Sequence, residues 1–325
     1  MDPTPLGVEQ IAGGVVAVVV THRRATEFRR LLERLGSSTQ PLLGCVVADH
    51  SPTGEIKAIA SAAAVRTVVL EDASNPGPGA GWANATKEAF RQFGLEVTAI
   101  WYLDDDVLPA PEALKICLKE MALGKAEAIA PLLEDEHGGL WGFPEPETTS
   151  LQRLIRLAKT PKEARELLGD EPLPFCWCTG ACFLVSRGMI DRAGLHRDDF
   201  WLLGEDLEYS MRIAATGRAV FTTKVSVPHL PPPASDPPTA RRADYLKFCS
   251  LLQNLSYLSF HSPHSRHMKN YLPGNFRRFF RTHGLNSQTI RDAVACLWNG
   301  AAKAQPSGTP SGETLRERML SYEWR

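Results

Sequence analysis

Three consecutive aspartates, Asp104, Asp105 and Asp106, follow directly on an apolar run at 99–103. Three like charges at the end of a buried strand repel one another and are costly to remove from water. A divalent cation relieves both costs, and carboxylate oxygens suit Mg²⁺ or Mn²⁺. Asp104 and Asp106, as alternate members of the run, could reach one ion and a phosphate that it carries. The alternative is a solvated acidic turn before a helix that begins near residues 109–112.

A second acidic site lies at Glu205 and Asp206, at the start of a predicted helix. One of the two could act as a general base. The alternative is the acidic charge that is common in the first turn of a helix. His229 follows a late predicted strand, and its neutral imidazole could be a third metal ligand or a structural side chain.

The segment 77–81 contains three glycines, Gly77, Gly79 and Gly81. It is not a P-loop, because no Gly-Lys-Ser/Thr follows, and it lies after the third strand rather than the first, where a dinucleotide fingerprint would be expected. Its backbone could still approach a ligand, with the following helix N-terminus facing a phosphate. The alternative is a tight loop without a ligand.

Strand and helix patterns alternate along the first part of the chain. Continuous β-branched or apolar runs predict strands, and apolar residues spaced three or four apart predict helices. This alternation favours an α/β fold with a doubly wound, mostly parallel sheet, whose ligands bind beyond the carboxyl ends of the strands. The predicted strands are 15–20, 42–48, 65–70, 97–103 and 126–132, the predicted helices are 25–35, 55–64, 84–93 and 111–123, and the strand-end residues are His22, Arg23, Asp49, Asp72 and the three aspartates.

The second half of the chain has a different pattern. A Gly/Pro-rich loop or hairpin, a basic helix or helix pair, an apolar segment and a short helix come first. A longer helix and a strand follow, and then a Pro-rich segment that cannot be regular structure. These elements are predicted at 138–146, 151–168, 175–185, 186–193, 204–215, 219–227 and 230–238, and beyond them we expect a helix at 244–260, a basic and aromatic segment at 266–281 and a flexible stretch at 307–312.

Composition excludes several function classes. The net charge is −1, so there is no bulk charge for binding nucleic acid. No apolar run is long enough to span a membrane and the N-terminus lacks a signal-peptide pattern, which predicts a cytoplasmic protein. The seven cysteines fit reduced thiols better than a disulfide framework. Cys176, Cys178 and Cys182 lack a paired zinc-ligand spacing, which favours buried thiols over a zinc site.

The order of these motifs resembles the inverting family 2 glycosyltransferases, which have the GT-A fold. Within that family it looks most like the bacterial galactofuranosyltransferase-type branch. The resemblance covers roughly residues 14–232 and departs from that branch at Gly204-Glu205-Asp206, where Trp-Asp-Asp is usual. The motifs that carry the resemblance are Thr21-His22-Arg23-Arg24, the glycine segment 75–82, residues 103–107, Trp177-Cys178-Thr179, residues 204–209 and Val227-Pro228-His229.

The resemblance implies a metal-dependent, inverting transfer of a sugar from a nucleoside-diphosphate donor to an acceptor hydroxyl. Asp104, Asp106 and His229 would hold Mn²⁺ or Mg²⁺, and Asp206, with Glu205 beside it, would be the base. The donor would be a UDP-sugar, with UDP-galactofuranose and dTDP-sugars as options, and the acceptor a glycan or a lipid-linked molecule. The implied donor-binding residues are Thr21, Arg23, Asp49 and Asp72 at the nucleoside, Asp105 at the ribose or the sugar, and Gly79, Gly81 and Asp104. The rings of Trp82, Trp177 and Trp201 would stack on sugar faces; the alternative is that they pack in the protein core.

The resemblance also divides the chain. Residues 1–232 would form the catalytic domain, with a nucleotide-binding half at 14–133 and an acceptor-side half at 134–232. Residues 233–325 would form a Pro-rich loop and a helical C-terminal extension. Its basic segment could contact a membrane that carries the acceptor, cover the core or form a homodimer contact.

Two other functions stay open. A sugar nucleotidyltransferase also combines a doubly wound sheet with metal-bound aspartate. It needs a Gly-rich basic loop after the first strand, however, and Thr21-His22-Arg23-Arg24 contains no glycine. A non-catalytic carbohydrate-binding protein would explain the tryptophans but not Glu205, Asp206 and His229.

Overall fold

The first strand follows directly from its sequence. Val15–Thr21 (β1) is a run of β-branched side chains, and residues on both faces of the strand are buried. This burial is typical of a parallel strand that is covered by helices on either side. The computed structural model describes residues 14–230, 237–262 and 265–302.

Strands and helices alternate after β1 as predicted, with bounds that differ by a few residues. Residues 151–168, which we predicted as a basic helix or helix pair, form a pair of short helices. The predicted apolar segment 175–185 contains parts of two strands. The other strands are Gly44–Asp49 (β2), Thr67–Glu71 (β3), Ala99–Asp104 (β4), Ala128–Glu134 (β5), Glu145–Pro146 (β6), Leu173–Trp177 (β7), Cys182–Ser186 (β8) and Ala219–Pro228 (β9). The helices are Ala25–Gly36 (α1), Glu55–Ala62 (α2), Pro78–Phe93 (α3), Ala113–Leu123 (α4), Thr149–Ile155 (α5), Pro161–Leu168 (α6), Arg187–Ala193 (α7), Glu205–Thr216 (α8), Pro237–His261 (α9), Ser265–His283 (α10) and Ser287–Ala302 (α11).

The nine strands of the described residues form one sheet in the order β3-β2-β1-β4-β8-β5-β9-β7-β6. Strands β3, β2, β1 and β4 are mutually parallel, and β8 is antiparallel to its neighbours β4 and β5. Strands β5 and β9 are parallel, and β7 runs antiparallel to β9. The sheet is therefore mixed, with a parallel half that carries the predicted strand ends. This confirms the predicted α/β fold class.

Helices cover both faces of the sheet. On one face, Phe28 and Leu31 of α1 and Leu114 of α4 pack against the strands. On the other face, Ala85 of α3 and Ile213 of α8 do the same. Strands β1, β2 and β4 between these two layers are almost completely buried, so this part of the sheet is a rigid support for the side chains at its edge.

The C-terminal extension is helical, as predicted. Helices α9, α10 and α11 share an apolar core of their own, formed by Tyr245, Cys249, Leu252, Phe279, Ala293 and Cys296. A Cβ at Gly300 of α11 would overlap the backbone of α9, so glycine allows these two helices to approach closely. No helix among the described residues is long and apolar enough to cross a bilayer.

The first helix of the extension begins earlier than the sequence predicted, at residue 237 rather than 244. Helix α9 starts at Pro237, inside the segment 230–238 that we expected to be irregular, and that end of the prediction is wrong. Proline fits the first turn of a helix, because the N–H that it lacks would have no intrahelical partner there. Residues 231–236 and the expected flexible stretch 307–312 lie outside the described residues.

Helix α9 supports the turn that leads into α8. The Asn254 side-chain amide donates to the carbonyl oxygens of Leu203 at 2.7 Å and Leu202 at 3.3 Å. Leu203 and Gly204 have φ angles of +60° and +96°, and a positive φ is an uncommon conformation for leucine. The extension is thus tied to the turn from which the second acidic site projects.

Candidate functional site

The predicted strand ends come together at one edge of the sheet. Thr21 at the end of β1 lies beside Asp49 at the end of β2, and Val20 of β1 pairs with Asp104 at the end of β4. Asp105 follows in a turn and is buried. Parallel strands end at the same edge, so polar side chains from distant parts of the sequence face one region.

His229 is brought to the three aspartates by β9. The backbone N–H of Leu108 donates to Pro228 O at 2.8 Å, and that of Leu230 donates to Asp106 O at 2.8 Å. These bonds fix the end of β9 along the aspartate turn and place His229 Nε2 3.4 Å from Asp106 Oδ1. One ligand atom each from Asp104, Asp106 and His229 lies within 4.8 Å of the other two.

This group fits a divalent cation. Its donors are two carboxylates and an imidazole, a set that Mn²⁺ and Mg²⁺ accept. Asp106 Oδ1 is buried and has no hydrogen-bond partner among the described residues. Burial lowers the pKa of His229, against the opposing influence of Asp106, so its imidazole is neutral and has a lone pair to offer.

The carboxyl groups of Asp104, Asp105 and Asp106 concentrate negative charge in one place. Burial raises the pKa of Asp104 well above its ordinary value, and Asp106, Asp105 and Asp206 raise it further. Burial also raises the pKa of Asp105 to about 7, although Arg24 and the Thr21 hydroxyl act to lower it. A cation bound here would compensate the charge that burial and repulsion disfavour.

Arg24 is a site residue that the sequence analysis missed. Its Nη1 lies 3.1 Å from Asp105 Oδ1 and also contacts Asp106 Oδ2. Thr21 Oγ1 donates to Asp105 Oδ2 at 2.7 Å. The neighbouring Arg23, which we predicted as a nucleoside ligand, is exposed and has a φ of +59°. Both arginines stand in the Thr21-His22-Arg23-Arg24 motif, but the sequence does not show which one turns inward.

Two of the predicted nucleoside residues, Asp49 and Asp72, lie at the ends of the neighbouring strands β2 and β3. Asp49 is fully buried; its Oδ1 accepts from the Ser51 N–H at 3.0 Å, and its Oδ2 has no partner among the described residues. Asp72 Oδ1 accepts from the Ser74 N–H at 2.9 Å and from the Ser74 hydroxyl at 2.6 Å. Asp49 therefore has a free acceptor, whereas one oxygen of Asp72 is held within its own loop.

Asp206 and Glu205 lie in the first turn of α8. Asp206 Oδ2 accepts from the Gly180 N–H at 3.1 Å, and its Oδ1 accepts from the Leu207 N–H at 2.7 Å. Glu205 is buried, and its Oε2 has no partner among the described residues. Burial raises the pKa of both carboxyl groups, and for Glu205 the charges of Asp206 and Asp104 add to this effect. The second acidic site therefore faces the first.

Comparison with known proteins identifies the family. The sequence model of "Glycosyl transferase family 2" matches residues 16–192, which is more than half of the chain. The chain belongs to this family. No curated protein sequence matches it.

Solved structures show that the family 2 chain has a GT-A-like fold. It aligns with S. aureus TarS 1-349 in complex with UDP-GlcNAc at 14% identity and a TM-score of 0.56, over 88% of this chain and 80% of that one. GalNAc-T7 with UDP, GalNAc and Mn²⁺ aligns at 16% identity and a TM-score of 0.55, over 87% and 54%. A mannosyltransferase from Pyrobaculum calidifontis with GDP-Man and Mn²⁺ aligns at 17% identity and a TM-score of 0.51, over 94% and 79%.

The glycines of the family 2 chain are packed against protein. Gly77 has a φ of +96°, and a Cβ there would overlap the Trp201 carbonyl. A Cβ at Gly79 would meet two carbonyl oxygens of residues 197 and 200, and one at Gly81 would meet Val20 and His50. The structure thus gives these glycines a packing role, and donor contact by Gly79 or Gly81 stays a prediction.

The three tryptophans predicted to stack on sugars also contact protein. Trp82 is 3% exposed and lies with its ring centroid 4.9 Å from that of His196. Trp177 packs edge-on against Tyr271 at 6.1 Å, and Trp201 Nε1 donates to the carbonyl oxygen of residue 75 at 3.3 Å. These contacts match core packing, so a sugar-binding role for any of the three stays a prediction.

Trp141 is a second residue that the sequence analysis missed. Its ring stacks on His229 with centroids 3.8 Å apart and an interplanar angle of 11°. Trp141 comes from the loop after β5, and its backbone N–H donates to Leu133 O at 2.9 Å, which fixes the loop to that strand. The stack orients the imidazole whose Nε2 faces Asp106. No local motif marks Trp141, because the contact depends on the path of β9.

We expect Gly77→Ala to lower the free energy of unfolding by about 3 kcal/mol or more, from a strained φ together with overlap of its Cβ with backbone. Gly54→Ala is the matched control, because Gly54 has a φ of +87° but open space around the Cβ position; it should cost about 1–2 kcal/mol. Urea denaturation of both variants measures the difference. Equal losses would show that the close approach at Gly77 is unimportant.

We expect Asp104→Asn to stabilise the metal-free protein at pH 8 but not at pH 4. The pKa of Asp104 is higher in the folded than in the unfolded state, so the free energy of unfolding falls as the pH rises through the folded-state pKa. Asparagine does not ionise, so the substitution removes this loss of stability. The melting temperature in EDTA should rise by roughly 2 °C or more at pH 8. Asp191→Asn, at an exposed carboxylate, is the control. An equal shift at both pH values would contradict the assignment.

Proposed function

We propose that this protein is a metal-dependent, inverting glycosyltransferase that moves a sugar from a nucleoside-diphosphate donor to an acceptor hydroxyl. The observation that carries the proposal is the convergence of Asp104, Asp106 and His229 on one point, with the carboxyl groups of α8 acting on the same aspartate run. Family membership supplies the reaction class.

On the donor side, Asp104, Asp106 and His229 would hold Mn²⁺ or Mg²⁺. Such a cation stabilises the negative charge of a departing nucleoside diphosphate. Trp141 keeps the His229 ring in place, and Arg24 carries the positive charge nearest to Asp105 and Asp106. Of the nucleoside residues implied by the resemblance, Thr21, Arg23, Asp49 and Asp72, the free buried oxygen of Asp49 is the best-placed acceptor for a base or ribose donor group.

On the acceptor side, we assign the base to Asp206. The N–H groups of Gly180 and Leu207 hold its two oxygens and favour the ionised form, which can take a proton. The acceptor oxygen would attack the anomeric carbon opposite the diphosphate as Asp206 removes its proton, so the anomeric centre inverts. Glu205 has a raised pKa and an unpartnered oxygen, so it would carry a proton beside the base and could donate a hydrogen bond to a sugar hydroxyl.

The aligned structures and the motif order together suggest the donor. The aligned structures bind UDP-GlcNAc, UDP with GalNAc, and GDP-Man. Two of the three nucleotides are uridine nucleotides, which favours a UDP-sugar; UDP-galactofuranose is the option that the motif order suggests, and a dTDP-sugar is another. We propose a glycan or lipid-linked acceptor, and a cytoplasmic location where nucleotide sugars are available.

The two alternative functions differ from this one in their products. A sugar nucleotidyltransferase would release inorganic pyrophosphate from a nucleoside triphosphate and a sugar phosphate. A carbohydrate-binding protein would release nothing. A glycosyltransferase releases a nucleoside diphosphate from the nucleotide sugar, so coupled assays for pyrophosphate and for nucleoside diphosphate together separate the three.

A panel of UDP-, dTDP- and GDP-sugars with Mn²⁺ and candidate acceptors should reveal a pair that yields nucleoside diphosphate. With that pair, Asp206→Asn should lower turnover by about 10²–10⁴-fold, because a general base contributes that much. Donor binding, measured by calorimetry, should be unchanged. Turnover near the unsubstituted rate would remove Asp206 from the base role, whereas no release with any nucleotide sugar would contradict the proposed function.

Mn²⁺ should raise the melting temperature of the unsubstituted protein, because a ligand that binds only the folded state stabilises it by about 2.7 kcal/mol at a hundredfold excess over its Kd. Asp106→Asn should abolish this shift, and Trp141→Ala should weaken it by releasing the His229 ring. Asp191→Asn is the control and should keep the full shift. A full shift in Asp106→Asn would place the cation elsewhere.

A further inference from the structure

Charge in this chain is distributed unevenly. The whole sequence has a net charge of −1, yet residues 261–302 contain six Lys and Arg and a single acidic residue, Asp292. That carboxylate is already engaged, because the Tyr245 hydroxyl donates to it at 2.6 Å and the Gln288 amide at 2.8 Å. Helices α10 and α11 are therefore a positively charged part of a nearly neutral protein.

Four positive side chains of α10 are on its surface. Lys269, Arg277, Arg278 and Arg281 are exposed, whereas Phe279 of the same helix is buried against α9. The surface formed by the outer sides of α10 and α11 is called the basic helical face below. A face of this charge attracts polyanionic partners and repels a second copy of itself.

The outer side of α11 exposes large apolar side chains. Ile290, Val294 and Trp298 follow one another at intervals of four residues along α11, and they are 43%, 56% and 73% exposed. Leu285, in the turn between α10 and α11, is 73% exposed. Side chains four residues apart lie on one side of a helix, so Ile290, Val294 and Trp298 form a continuous apolar stripe.

The stripe is not needed to hold the helices together. Helix α11 is anchored to α9 by Ala293 and Cys296 on its opposite side, and the Ser256 hydroxyl donates to Leu297 O at 2.7 Å. The exposed stripe therefore contributes nothing to the packing of α9, α10 and α11 against one another. Apolar side chains beside Arg and Lys on an outer helical face are the combination that binds the interface of an anionic bilayer.

We propose that the basic helical face docks on the surface of a bilayer that contains anionic phospholipid. Trp298, Val294 and Ile290 would enter the headgroup region, and Arg277 and Arg281 would contact lipid phosphates. The docking itself does not depend on the transfer reaction proposed above. If both hold, the enzyme meets a lipid-linked acceptor at the membrane surface while its donor arrives from solution.

Vesicle co-sedimentation of the full chain tests this proposal. We expect binding to vesicles of equal parts phosphatidylglycerol and phosphatidylcholine in 0.1 M salt, weaker binding in 0.5 M salt because the charges are screened, and little binding to pure phosphatidylcholine. Two variants separate the contributions: Val294→Glu with Trp298→Glu removes the apolar contact, and Arg277→Glu with Arg281→Glu reverses the charge. Each should lower the vesicle partition coefficient by at least about tenfold.

The matched control substitutions lie on other surfaces of the protein. Leu95→Glu changes a leucine that is 91% exposed, and Arg29→Glu with Arg30→Glu reverses two exposed charges on α1. Both should bind vesicles as the unsubstituted protein does. All four altered residues of the face are exposed, so the variants should fold, and unchanged melting temperatures confirm this.

Three results would overturn the proposal. One is equal binding of the test variants and the controls. Another is equal binding to neutral and anionic vesicles. The third is a concentration-dependent dimer in sedimentation velocity that the Val294→Glu, Trp298→Glu variant dissociates, since a second copy would then occupy the stripe.

Discussion

Repulsion among buried carboxyl groups is the constraint on which the arrangement of this site depends. Asp104, Asp105 and Asp106 leave the sheet together, and the carboxyl groups of Glu205 and Asp206 act on the same region. Burial disfavours the charged forms of Asp104, Asp105, Glu205 and Asp206, and for the first three the proximity of other carboxyl groups adds to that cost. The structure therefore needs compensating groups, which it draws from several distant segments.

The compensation is specific to each carboxylate. Asp105 is held by Arg24 and the Thr21 hydroxyl, and Asp206 by backbone N–H groups, which favour ionisation without adding a charged side chain. Asp106 shares Arg24 and retains one buried oxygen without a partner, beside the neutral imidazole of His229. A divalent cation is the group that would complete the set, because it neutralises charge and takes the free oxygen as a ligand.

The rest of the fold brings these segments together. Strand β9 carries His229 to the aspartate turn, glycines 77 and 79 let the start of α3 approach the segment that precedes α8, and Gly81 lets it approach Val20 and His50. Asn254 of α9 then supports the turn before Glu205. The C-terminal extension thus has two sides: an inner side that stabilises the acidic site, and an outer side that is basic and apolar.

Sequence alone determined the alternating strands and helices of the parallel half of the sheet and the acidic character of the candidate site. Alternating apolar runs fix a doubly wound sheet, because each run must be buried on both faces, and strand ends in such a sheet share one edge. That rule was enough to predict that Asp49 and the aspartate run lie at one site. The order of the motifs added Asp206 and His229 to it. Only the tertiary structure decided which arginine of Thr21-His22-Arg23-Arg24 turns inward, that the glycines serve packing, and that Trp141 stacks on His229. These outcomes depend on contacts between segments far apart in the chain, and local spacing does not specify such contacts.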